Sequence, residues 1–180
     1  MSKISAGLVM YRARDGRLEV LLVHPGGPFW ARKDHGAWFI PKGEVNLEED
    51  QLAAAKREFE EETSVRPEGS FLPLGSVKHK SGKTVLAWAF KGNCDTNSIK
   101  SNTFSMEWPP KSGKQRQFPE IDRAAFFTIE QAKDKIYPAE FELLNRLRQA
   151  SDGSAAATSR SDAHPQQAFS DRVTQGNLFD

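Results

Sequence analysis

Glu58, Glu61 and Glu62 stand at i, i+3 and i+4 within the run Arg57-Glu58-Phe59-Glu60-Glu61-Glu62. On a helix that spacing gathers three carboxylates on one side, within a few ångströms of each other. Like charges so placed repel, and the helix that carries them is destabilised unless something positive sits among them. A divalent cation supplies that charge. Hard carboxylate oxygens favour Mg2+, or Mn2+, over zinc, and Mg2+ held by a few carboxylates keeps several waters and bridges to substrate phosphate. The same run also reads as a solvated, charge-rich helix whose glutamates pair with Lys56 and Arg57. Residue types alone leave both readings open.

The element that must carry these groups is predicted over about 50–63. Asp50 is a helix-starting residue, and Gln51-Leu52-Ala53-Ala54-Ala55-Lys56 are strong helix formers. Leu52, Ala55, Phe59 and Thr63 recur at three- and four-residue steps and form a narrow apolar stripe, the side expected to pack on a core.

The wider spacing is more specific. Gly43, five residues, Glu49, seven residues and then Arg57-Glu58-Phe59-Glu60-Glu61-Glu62-Thr63-Ser64-Val65 resembles the signature of the Nudix hydrolases. Two positions depart from it: Phe59 stands where an aliphatic residue is usual, and Ser64 where the pattern closes on glycine. The second replaces a residue suited to a left-handed helix end, so a strained or differently closed exit turn is expected. The resemblance covers roughly residues 4–148. It implies an alpha/beta/alpha sandwich with a mixed beta-sheet, and it assigns roles by position. Glu58, Glu61 and Glu62 become the metal-binding core, joined by the main-chain carbonyl of Gly43, while Glu49 and Arg57 hold loop and helix together. One of the three glutamates, or Glu120, accepts the proton of the attacking water.

Bulk properties agree with a small enzyme. The 180 residues suit one domain plus an appendage, with a Nudix hydrolase domain expected over 1–150. A formal charge of +1 gives no global attraction to nucleic acid or to an anionic membrane. Cys94, the single cysteine, excludes an internal disulfide and fits a reducing cytosol. No basic-plus-apolar leader or span-length apolar run is visible, so a cytoplasmic location without membrane contact is expected.

In chain order, Ile4–Tyr11 and Leu18–His24 read as a hairpin. The turn-rich, aromatic stretch Pro25–Gly43 can line a pocket, with Trp38 a candidate to stack a base. Lys42 stands in a Trp-x-x-Pro-Lys-Gly-Glu context, which within the family resembles enzymes acting on dinucleoside polyphosphates and diphosphoinositol phosphates. Two further strands are predicted over 74–80 and 84–91, with Lys78, His79, Lys80 and Lys83 near their turn. Lys78 and His79 are candidates to meet phosphate; basic residues decorating an exposed hairpin are the plainer alternative. Residues 93–117 read as a long polar loop from which Lys111, Lys114 and Arg116 can reach outer phosphates. Glu120 precedes a final aromatic strand, at a place where many Nudix enzymes supply a further acid. Thr128 and Glu130-Gln131 resemble a helix cap, and an amphipathic helix is expected after Pro138.

From Ser151 the composition shifts to Ser, Ala, Asp, Gln and Arg, which predicts a disordered tail over 151–180. Within it Gln175-Gly176-Asn177-Leu178-Phe179 resembles the Gln-x-x-Leu-Phe peptides that bind bacterial sliding clamps, a possible partner contact.

The resemblance therefore implies Mg2+-dependent hydrolysis of a phosphoanhydride in a nucleoside diphosphate-linked compound, a dinucleoside polyphosphate or nucleoside triphosphate first. Sanitising oxidised nucleotides is an alternative within the same chemistry. A Nudix-shaped binding or regulatory module without turnover is an alternative of another class.

Overall fold

The computed structural model describes residues 3–161. Its strands are β1 (Ile4–Arg14), β2 (Arg17–Pro25), β3 (Lys42–Glu44), β4 (Leu72–Lys78), β5 (Thr84–Lys91), β6 (Thr103–Glu107), β7 (Gln115–Pro119) and β8 (Ile121–Thr128). Its helices are α1 (Gln51–Thr63), α2 (Ile129–Lys135) and α3 (Phe141–Ser161). The main sheet runs β4-β5-β1-β2-β8, with β3 on β1; the β1–β5 pair is parallel and the rest antiparallel, so the sheet is mixed.

The period-2 alternation of β1 builds both faces. Ala6, Leu8 and Met10 meet Ala54, Ala55 and Phe59 of α1 on one face. Val9 faces the opposite core, where Leu143, Leu144 and Leu147 of α3 pack. Helices on both sides of a mixed sheet give the expected alpha/beta/alpha sandwich. No helix among the described residues is long and apolar enough to cross a membrane.

One departure from a simple hairpin positions the site. β1 and β2 pair only near their turn, from Tyr11↔Val20 to Arg14↔Arg17. Beyond Tyr11 they part, and the segment around Phe39–Glu44 wedges between them. Phe39 exchanges 2.9 Å backbone bonds with Val23, Pro41 accepts from Leu8 at 3.1 Å, and β3 runs antiparallel to β1 with Gly43 opposite Ala6.

Two expectations are corrected. The predicted loop 93–117 contains β6 and β7, a separate two-stranded sheet with Phe104 opposite Phe118. Its polar, proline-punctuated sequence hid a short alternation in which Phe104, Met106 and Phe118 turn inward and their neighbours face water. Residues 151–161, expected to open a disordered tail, are instead helical, as the continuation of α3 from its packed first turns through Gly153 and Ala155-Ala156-Ala157 to Ser161. The clamp-like peptide Gln175–Phe179 lies outside the described residues.

Candidate active site

α1 begins where the sequence placed it: Asp50 caps it by accepting from the Ala53 N–H at 2.9 Å. It ends on Ser64 in the left-handed conformation at φ 59°, whose N–H still bonds Glu60 O at 2.7 Å. The helix exit therefore closes without glycine. The Ser64 hydroxyl adds a bond that glycine lacks, donating to Lys100 O at 2.6 Å and pinning the stalk of the β6–β7 hairpin.

The carboxylates of α1 divide into two sets. Arg57 is the positive group among the first. Its Nε and Nη2 hold Glu49 at 2.9 and 3.0 Å in a two-pronged contact, and Nη1 reaches Glu58 at 2.7 Å and Glu61 at 3.3 Å. Nη2 also donates to Glu44 O at 3.1 Å, and Glu49 accepts from the Asn46 N–H at 3.0 Å, so the loop 44–49 is fastened to the helix. The Arg57 side chain, then the Asn46 N–H, hold the Glu49 carboxyl well down, at about 2. Lys56, the other cation of the charged-helix reading, instead lies 4.3 Å over Phe71.

Glu62 turns away from Arg57 and accepts from the Lys42 N–H at 3.1 Å. Burial pushes its carboxyl up to about 8, and the nearby charges of Glu58 and Glu120 add to this while Lys42 opposes it. Glu120 is raised as well, by burial and then by Glu58 and Glu61. Four acidic groups thus share one electrostatic neighbourhood. A chain of backbone bonds sets Glu120 there: Asn102 N–H to Glu61 O at 3.2 Å, Glu120 N–H to Asn102 O at 2.8 Å, and Gly26 N–H to Glu120 O at 2.9 Å.

This donor set fits a hard divalent cation. Glu58 lies against Gly43 so closely that no side chain would fit between them, which sets a carboxylate beside the Gly43 backbone. The groups do not already form a cage: among the described residues no three His, Cys, Asp or Glu side chains are gathered as one. Arg57 occupies Glu58 and Glu61, while Glu62 and Glu120 are raised first by burial and then by neighbouring carboxylates, charge that a cation among them would offset.

Of these acids, Glu62 and Glu120 open onto a cleft with two lobes, both of which they line together with Pro25 and Trp30. One lobe adds Phe39, Ile40 and Lys42; the other adds Phe29, Phe104 and Met106. Trp30 and Phe39 meet edge to face at 5.5 Å, and Phe29 meets Trp108 of the hairpin at 5.7 Å.

Several expected contacts change here. Trp38 is only 5 % exposed, packed on Phe127 at 5.1 Å and bonded through Nε1 to Asp34 at 2.8 Å, so it presents no face to a base. In a strand-like segment its neighbour faces the other way, and Phe39 lines the cleft instead. Lys42 reaches the cleft, but its ammonium pairs with Glu140 at 3.1 Å. His79 bonds the same carboxylate at 3.0 Å. Lys78 is exposed on β4, and Lys111 is exposed in the turn between β6 and β7. Sequence reasoning missed Glu140, Phe104 and Met106. For the last two the alternation of β6 was the available signal; for Glu140, an acid at the start of a helix, there was none.

A family model described as the NUDIX domain matches residues 1–147. Among solved structures, Ap4A hydrolase of C. elegans in a binary complex is 26% identical, with 84% of this chain and 98% of that chain covered at a TM-score of 0.58. The NUDIX domain of Shewanella oneidensis NrtR complexed with ADP ribose is 14% identical, covering 84% and 89% at 0.58. The MutT protein of Methanosarcina mazei Go1 is 19% identical, covering 83% and 95% at 0.55. These last two likenesses show the fold. No curated protein matches the chain.

Proposed function

The chain belongs to the Nudix family and is a pyrophosphohydrolase, and from that premise we propose that it cleaves a phosphoanhydride of a dinucleoside polyphosphate, or of a nucleoside triphosphate, with Mg2+ or Mn2+. The observation that carries this reading is the two-lobed cleft, which has aromatic walls on both sides of the shared acids Glu62 and Glu120. A compound with an aromatic base at each end and phosphates between matches that layout, and the 26% identical relative is an Ap4A hydrolase.

Glu58, Glu61, Glu62 and the Gly43 carbonyl would hold the cation, which when bound neutralises phosphate charge and makes a coordinated water more acidic. Trp30, with Phe39 held against it, flanks one base site, and Phe104 the other. Lys42 meets a phosphate, with Lys83 behind it; burial and the Lys42 charge lower the Lys83 amine. Water attacks phosphorus, the anhydride P–O bond breaks, and the water's proton passes to Glu62 or Glu120, whose raised affinities for a proton suit a base. The clamp contact of Gln175–Phe179 belongs to this proposal too, and binding of a labelled 170–180 peptide to a bacterial sliding clamp tests it.

The test is product analysis on diadenosine polyphosphates, ordinary and 8-oxo nucleoside triphosphates, ADP-ribose and diphosphoinositol phosphates. Each is run with Mg2+, with chelator, and with Glu61→Gln. Efficient cleavage of a dinucleoside polyphosphate or a triphosphate, abolished by chelator and by the substitution, is expected. Preference for the 8-oxo nucleotides would favour sanitising, and binding without cleavage would leave a regulatory module.

A further inference from the structure

Glu140, in the turn Pro138–Glu140 ahead of α3, is a carboxylate with no solvent exposure. Burying such a charge is costly unless donors surround it. Three do: the Ile40 N–H at 3.0 Å, His79 Nε2 at 3.0 Å and Lys42 Nζ at 3.1 Å. Burial pushes the carboxyl up, yet Lys42, His79 and the Ile40 N–H together hold it below the ordinary value.

The same groups close into a ring. The Lys42 ammonium lies 4.3 Å over the face of Phe39. Phe39 stacks on Tyr137 at 5.3 Å and 17°, and Tyr137 meets His79 at 4.6 Å. Of this ring, Phe39 and Lys42 open into the cleft beside Glu62. The Lys42 main chain is meanwhile bonded to Glu62. Both ends of one lysine are therefore fixed, its backbone by α1 and its ammonium by Glu140.

We propose that Glu140 is a positioning residue for substrate phosphate: it holds the Lys42 ammonium at the place in the cleft where the phosphate chain passes, and His79 keeps the carboxylate in place. A free lysine side chain carries rotamer entropy that binding must otherwise remove. An ammonium already immobilised on a buried carboxylate binds phosphate without that cost. The two further donors on Glu140 let Lys42 lean toward a phosphate without leaving the carboxylate bare.

This inference rests on the hydrolase reading for its ligand, so the test reads binding apart from turnover. Calorimetric titration with α,β;β,γ-bis(methylene) ATP, which has no cleavable phosphoanhydride, and Mg2+ is carried out on the full chain, on Lys42→Met, on Glu140→Gln, and on the double variant. Lys42→Met and Glu140→Gln are each expected to weaken binding about tenfold, and the double variant no more than either alone, since coupled residues are not additive. Affinity for adenosine alone should not move. His79→Leu, which spares Glu140 itself, should weaken binding in the same direction by a smaller factor, and only where Lys42 is present. Additive losses, tighter binding by Glu140→Gln, or unchanged binding in both Glu140→Gln and His79→Leu with melting temperature retained would each overturn the proposal. Wild-type chain that binds the probe but hydrolyses nothing would sink the hydrolase reading instead, and the cycle would still decide on Glu140.

Discussion

Gly43 and Glu58 occupy adjoining space: a methyl group built on Gly43 would lie 2.0 Å from both the carboxyl carbon and Oε2 of Glu58. Gly43→Ala must therefore displace a carboxylate of the proposed metal set. A shift of about 1 Å in such a group costs about 100-fold in rate. That loss in kcat is expected with the fold retained by circular dichroism, and near-normal activity would exclude Glu58 from the reacting set.

Glu62 provides a test by pH. Its folded value of about 8 lies above the ordinary 4.5, so the folded chain binds the extra proton. The contribution to metal-free stability is full below the ordinary value and is lost as pH rises through about 8. Metal-free chain should melt several degrees lower at pH 9 than at pH 6, and Glu62→Gln should flatten that slope while lowering kcat about 100-fold or more. A slope unchanged by the substitution would rule out Glu62 as its source.

His24 has no exposure and is held on both ring nitrogens, Nδ1 at 2.7 Å from Asp122 Oδ1 and Nε2 at 2.7 Å from Lys33 O. Lys33 in turn donates its N–H to Trp30 O at 2.9 Å. His24→Leu should cost about 1–3 kcal/mol by leaving polar partners unmatched. With the Trp30 loop loosened, KM should rise more than kcat falls. Equal falls in kcat and kcat/KM, with KM unchanged, would show that the histidine serves the chemistry directly.

Ser64→Gly removes two opposing effects. The left-handed backbone at φ 59° costs a non-glycine residue about 1 kcal/mol, and the hydroxyl bond to Lys100 O returns a similar amount. A melting temperature within about 3 °C of wild type is expected, with activity preserved. A large loss of activity would mean that the hairpin stalk, through Lys100, shapes the cleft.

The sequence was most legible where spacing alone carries the physics. Helix formers and an apolar stripe at three- and four-residue steps located α1 with its buried Phe59, and the residue type of Asp50 located its cap. Apolar runs of strand formers between turn residues located β1, β2, β4 and β5 to within a few residues. The hairpin β6–β7 was illegible because two inward aromatics and a methionine, diluted by prolines, lysines and serines, make a weak period-2 signal. Trp38 and Phe39 were separable only by which face each takes, and that depends on the wedge between β1 and β2. Glu140 was invisible for another reason: a buried acid is defined by donors far along the chain, at Ile40, Lys42 and His79, and no local pattern encodes them.

The wedge also limits where the chain can change length. Within a few residues, Ile40 donates to Glu140 on the α3 side of the sheet, Pro41 accepts from β1, Lys42 donates to Glu62 of α1, and Gly43 makes room for Glu58. Adding or deleting one residue here would turn each group to the opposite layer and uncouple both helical layers from the cleft at once. The turn at Asp15-Gly16 and the tip at Ser112-Gly113, which meet no such cross-layer bonds, are where insertions should be absorbed. Changes in hairpin and loop length would then reshape the cleft of this chain while the wedge segment keeps its own length.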